Sequence, residues 1–241
     1  MAKAPKSVAI RTYQVGFGDC FLLSFAYGPK SERHVLIDFG STGLPSDAPA
    51  SRLRDVALDI KKRTGGKLHA VVATHRHKDH ICGFETAKGG GNPGDVIRSL
   101  KPDVVVQPWT EDPELAPKAT GPRGKGFRFQ MAQQIAALSS MQEVAAQSLV
   151  ERRRLSAYLP QSVRAQLSFL GEDNLSNANA VRNLMTMGKN TYVHHGSKSG
   201  LDKALPGVKV HVLGPPTLEQ TETIKKQRST DPGELDRKSV V

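Results

Sequence analysis

Hydrophobic and polar positions alternate from Ser7 to Gln14, and an apolar stretch follows from Cys20 to Tyr27. Between them lies Val15-Gly16-Phe17-Gly18-Asp19, whose glycines permit a tight turn, so the two segments predict an antiparallel hairpin. His34-Val35-Leu36-Ile37 predicts a third strand that runs out into Asp38-Phe39-Gly40-Ser41. From Arg52 to Arg63 the period changes. Leu53, Val56, Ala57 and Ile60 fall on one helical face, and Thr64-Gly65-Gly66 ends the segment. Leu68 to Ala73 is an uninterrupted apolar run, which predicts a strand buried on both sides. Later segments predict a flexible loop at 89–94, a short helix from Asp95 to Leu100 and a buried strand at Val104-Val105-Val106 that leads to Trp109. They also predict a long helix from Phe129 to about Leu155, a short one from Ala180 to Met187 and a strand from Val208 to Leu213. Strands that alternate with helical segments imply an α/β fold.

The 241 residues allow one sizeable domain or two small ones. Aromatic residues are only 5% of the chain, so the core must be mainly aliphatic. A net charge of +11 favours an anionic partner such as a nucleic acid or another phosphoester. The two cysteines, Cys20 and Cys82, make no disulfide framework and no Cys-x-x-Cys pair; both read as buried thiols. The short basic N-terminus is not followed by a signal-length apolar segment, and no run reaches about 18 apolar residues. The expectation is a cytoplasmic protein with no membrane partner.

The strongest chemical signal is Thr74-His75-Arg76-His77-Lys78-Asp79-His80, which leaves the end of the Leu68–Ala73 strand. In an extended loop His75 and His77 point the same way and can hold one ion. Asp79 and His80 then face a second ion close by. Imidazole and carboxylate together suit zinc, with manganese or iron as alternatives. His34 reads as a surface residue and His69 as too far along its strand to share the site. His194, His195 and His211 form the pool for a further ligand, with His195 the candidate carried forward. Trp109 could line a pocket but more often such a residue is core.

His75, His77, Asp79 and His80 match without a gap the His-x-His-x-Asp-His signature of the metallo-β-lactamase-fold hydrolases, which this chain therefore resembles. That resemblance implies a four-layer αββα sandwich with one or two metal ions, usually Zn2+, at the edge of its sheets. It implies a hydrolase that uses a zinc-activated water, with Asp79 as a catalytic proton acceptor as well as a ligand. Asp38 corresponds to the family's first motif and is expected to orient the metal loop, with Thr74 also supporting it. Val-Gly-x-Gly-Asp before an apolar strand resembles the opening of the competence-protein (DNA-uptake) branch, which gives Asp19 a supporting role near the metals. On this reading residues 1–216 form the domain, with a helical insertion at about 127–190, and 217–241 form a polar tail. Asp231 and Asp236 in that tail do not stand in a strand that would supply the family's bridging Asp. Leu213-Gly214-Pro215-Pro216 looks like a mid-domain junction, so the second half is expected to be shortened. The substrate class that fits the charge is a phosphoester or nucleic acid. A catalytically impaired scaffold, or a thioester or lactone hydrolase, remains open.

Overall fold

The computed structural model describes residues 4–115, 121–123 and 178–220. They build one six-stranded sheet in sequence order: β1 (Ser7–Thr12), β2 (Cys20–Gly28), β3 (Ser31–Phe39), β4 (Ala70–Val72), β5 (Val104–Pro108) and β6 (Lys189–Val193). β1 to β3 are antiparallel, and β3 to β6 are parallel. Parallel neighbours need crossovers. The first is α1 (Arg52–Arg63). The second contains a short α2 (Lys78–Ile81), a 3-10 turn (Cys82–Phe84) and α3 (Pro93–Ser99). A further helix, α4 (178–186), precedes β6.

Period-two alternation divides the strands between two cores. Leu22, Leu36, Val71 and Val105 face Val56, Ile60, Ile97 and Leu184 of the helices. Phe25, Val35, Ala70, Val104 and Val106 face the other way, towards Leu201, Ala204 and Leu205. Helix α1 has the bounds that its apolar spacing predicts. Lys61, Lys62 and Arg63 in its last turn complement the negative end of its dipole. The α/β class is therefore as expected. The second sheet of a four-layer sandwich is not among the described residues. The long helix expected at Phe129–Leu155 and most of the 127–190 insertion lie outside them too, as does the tail from 221 onwards.

Three local expectations need correction. Asn92-Pro93-Gly94 is not loop but the start of α3. Pro93 takes the first helical position, where its missing N–H costs nothing, and the Asp95 carboxylate accepts the Asn92 N–H at 3.0 Å. Val208–Leu213 pairs with no strand among the described residues despite its alternation, and there His211 is exposed and Leu213 is 82% exposed. His34 is buried rather than on the surface. Ser24 lies opposite it on β2 and its hydroxyl is 2.9 Å from His34 Nδ1. The His34 peptide N–H donates to His69 Nδ1 at 3.0 Å. Both imidazoles are held in the neutral form, mainly by burial. For His69, which is also near Arg33, the pKa falls from 6.5 to about 4.

One irregularity prepares the site. In the β2–β3 register Cys20 opposes Phe39 and Phe21 opposes Ile37, so Asp38 is left over as a bulge residue. Its φ is +51°, a left-handed conformation that Asp tolerates better than most side chains. A bulge turns a side chain away from the regular alternation. Here it turns Asp38 towards the loop that leaves β4.

Candidate metal centre

β3 to β6 are parallel, so Asp38, Thr74, Gln107 and His194 all sit at the carboxyl edge of one sheet. That edge is where open α/β sheets commonly carry their chemistry. Thr74 to His77 connects β4 to α2, and α2 carries Asp79 and His80.

Asp38 is buried and accepts three bonds from this loop. The Thr74 N–H donates to Oδ1 at 2.7 Å, the Thr74 hydroxyl donates to Oδ2 at 2.6 Å, and His80 Nδ1 lies 2.9 Å from Oδ2. A carboxylate can only accept, so His80 carries its proton on Nδ1. The Thr74 hydroxyl has given its proton to Asp38, so Oγ1 is an acceptor for His75 Nδ1, 3.1 Å away. One buried carboxylate thereby sets the same tautomer on both imidazoles and leaves both Nε2 lone pairs available. An Nδ1–H bond of this kind is how metal-binding histidines are oriented. Burial, then the nearby His80 and His77, lowers the pKa of His75, which keeps it in the neutral, ligating form.

The site is compact. Ligand atoms of His75, Asp79 and His80 all lie within 4.8 Å of one another, and so do those of Asp19, Asp38 and His80. The His75 ring centroid is 3.8 Å from that of His80 and 4.6 Å from that of His77. An imidazole pair with a carboxylate fits a divalent ion such as zinc. The grouping differs from the alternate pairing that an extended loop implies: His75 is with Asp79 and His80, and His77 belongs to neither three-residue group. His77 is the N-cap of α2, with its side chain exposed and making no capping bond. His195 is also outside both groups. It is exposed, and its peptide N–H donates to Pro215 O at 2.9 Å.

The Val15–Asp19 turn locks onto this loop. The Asp19 N–H donates to Asp79 O at 3.1 Å, and Asp19 Oδ2 lies 3.5 Å from His80 Nδ1. The approach is too close for side chains. A Cβ on Gly18 would lie 2.6 Å from Asp79 O, and one on Gly40 would lie 2.5 Å from Lys78 O. Cys82 is in neither candidate ligand group: its thiol donates to Ser41 O and accepts the Ser41 N–H, both at 3.2 Å. Cys20 is buried, and burial and the Asp38 charge raise its thiol pKa far above the usual range. Asn183 of α4 braces the turn behind the site, donating to Phe84 O and Gly94 O.

Other candidates fall elsewhere. Trp109 is core, and its indole N–H donates to Pro216 O. His69 is at the opposite, amino edge of β4, beside His34. Of the cations between Pro113 and Phe129, Arg123 is paired with Asp112 at 2.6 Å and with Glu114. Lys118, Lys125 and Arg128 lie outside the described residues. Sequence reasoning missed Arg76, Gln107 and Glu111. Arg76 reaches across to Gln107 and Glu111 at the end of β5. The available signal was a polar residue near the end of a buried parallel strand, with an acidic one three residues past the strand.

An α/β sheet with a His- and Asp-bearing loop at its carboxyl edge, oriented by a bulged Asp on the adjacent strand, defines an α/β domain with a candidate metal site. The sequence profile of the metallo-beta-lactamase superfamily matches residues 13–134, about half of the chain, and the chain belongs to that superfamily. No curated protein and no solved structure matches it.

Proposed function

We propose that this protein is a metal-dependent hydrolase of the competence-protein-like branch that acts on a phosphoester, with nucleic acid as the leading substrate class. The observation that carries this reading is the convergence of His75, Asp79 and His80 ligand atoms within 4.8 Å on a loop tied to buried Asp38. A divalent ion held there, zinc or else manganese or iron, would supply Lewis-acid activation of water and of the scissile ester. The chain's own residues do the rest. Asp38 and Thr74 hold both imidazoles with Nε2 free. Asp79, whose side chain is 37% exposed and 3.3 Å from His80 Nε2, is the carboxylate open to substrate and serves as the proton acceptor. The branch assignment rests on the Val15–Asp19 turn and its packing against Asp79. The phosphoester assignment rests on the +11 charge, which raises the local concentration of anionic substrates. Among the described residues no helix is long and apolar enough to cross a membrane.

A second reading, a binding or scaffold module with an impaired site, is favoured by one observation: among the described residues no His beyond His80 joins either ligand group. A substrate panel separates the two. With added Zn2+ or Mn2+, the protein should turn over bis-aryl phosphodiesters, RNA or single-stranded DNA, and Asp79→Ala should lose roughly 100-fold or more of that rate. Turnover confined to thioesters or lactones would move the substrate class. No metal-dependent turnover of any of them would favour the scaffold.

A further inference from the structure

The loop from Thr74 to His77 pairs with no strand among the described residues, and side chains meet two of its peptide N–H groups. On one side Asp38 receives the Thr74 N–H. On the other, the carboxylate of Glu111, just past β5, faces the Arg76 peptide N–H, which helps to stabilise its charged form. Glu111 Oε2 also lies 3.3 Å from Arg76 Nε, with both side chains less than one-fifth exposed. Arg76 Nε and Nη2 donate to Gln107 Oε1 at 3.3 and 3.1 Å. Gln107 is buried, and its Nε2 donates to Asn190 Oδ1 at 2.7 Å; Asn190 in turn donates to Met185 O. A continuous polar chain therefore links the loop through β5 and β6 to the end of α4.

Arg76 stands between His75 and His77. Its fixed positive charge opposes a divalent cation at the same loop. A carboxylate against the guanidinium offsets that repulsion, and the Glu111 and Gln107 contacts to the Arg76 side chain restrain the backbone between the two imidazoles. We propose that Glu111 is a positioning residue of the metal centre, which anchors the His75–His77 segment through Arg76 and neutralises the cation built into the loop. Nothing in the ligand set requires an acidic residue at this place, and the Glu111 charge also acts on the neighbouring His77. This inference rests on the reading of His75–His80 as the metal loop.

The test is zinc affinity, measured by competition with a chromophoric chelator, alongside thermal unfolding of the metal-free protein. Glu111→Gln keeps an acceptor for the peptide N–H and removes the charge. It is expected to weaken zinc binding by about 10- to 100-fold, the range seen when a group that supports metal ligands is changed. The loss should be greater at low ionic strength, where charge is less screened. The same substitution made in an Arg76→Gln background should weaken binding much less, because the cation to be offset is gone. A purely structural role would lower affinity and unfolding temperature together, equally in both backgrounds and at both salt concentrations, and that result overturns the proposal. Glu111→Asp, which keeps the charge but withdraws it from the loop, covers the case in which the Gln variant does not fold. It is expected to lose several-fold in affinity, and wild-type affinity in it overturns the proposal as well. Zinc bound by the wild type with unchanged affinity in Glu111→Gln sinks this inference alone; a wild type that binds no zinc sinks the metal reading beneath it.

Discussion

Asp38→Ala is expected to destabilise the protein by about 3–4 kcal/mol in urea unfolding at pH 7. Three donors lose one buried acceptor: the Thr74 N–H, the Thr74 hydroxyl and His80 Nδ1. Each polar group left unpaired costs about 1–3 kcal/mol when buried. Thr74 is exposed and recovers part of this from water, which sets the estimate in the lower part of the summed range. Alanine at φ +51° adds about 1 kcal/mol or more, because its Cβ crowds the following carbonyl in the left-handed region. Asp38→Asn separates structure from function. Asparagine fits the bulge but offers only one acceptor oxygen and places an NH2 against His80 or Thr74. The folded variant should bind zinc about 10- to 100-fold more weakly. A loss below about 1 kcal/mol in the alanine variant would mean that Asp38 does not organise this edge of the sheet.

The second large effect is acid sensitivity at the opposite edge. His69 Nδ1 accepts the His34 peptide N–H, so protonating it sets two donors against each other in a buried site. Burial first, then Arg33, brings the folded-state pKa to about 4, against about 6.5 in the unfolded chain. Between these values the unfolded state binds the extra proton. The stabilisation from neutral His69 is therefore complete above pH 6.5 and is lost as pH falls towards 4. By pH 5 the loss is about 2 kcal/mol, at about 1.4 kcal/mol for each tenfold difference in proton affinity. His34, buried and lowered in the same direction, adds to it. Urea midpoints at pH 7 and pH 5 measure the loss. His69→Asn, whose side-chain oxygen can take the place of Nδ1, should remove most of it. A His69 resonance that titrates near 6.5 would show the imidazole to be solvated and the prediction wrong.

Much of this molecule is readable from its sequence where the signal is periodic. Helix α1 repeats its apolar positions over three turns and its ends carry their own stop signals, so its bounds follow directly. The apolar runs before Thr74 and before Gln107 could only be buried strands. The metal loop is legible because its four candidate ligands fall within six residues. What could not be read depends on partners distant in the chain. His34 looks exposed until Ser24 is placed opposite it and His69 beneath it. The Val208–Leu213 alternation has the period of a strand, but a strand also needs a neighbour to pair with. The bulge that aims Asp38 is a property of the β2–β3 register, and neither strand alone encodes it visibly. The Arg76–Glu111 pair joins residues 35 apart through side chains with no periodicity at all.

The account stands or falls on whether His75, Asp79 and His80 hold a metal ion. The most direct measurement is the zinc-to-protein ratio by elemental analysis of protein dialysed against buffered Zn2+, for the wild type and for His75→Ala and His80→Ala. The wild type is expected to retain one or two ions per chain and both variants to lose at least one, with folding checked by circular dichroism. Equal and negligible zinc in all three folded proteins would contradict the account.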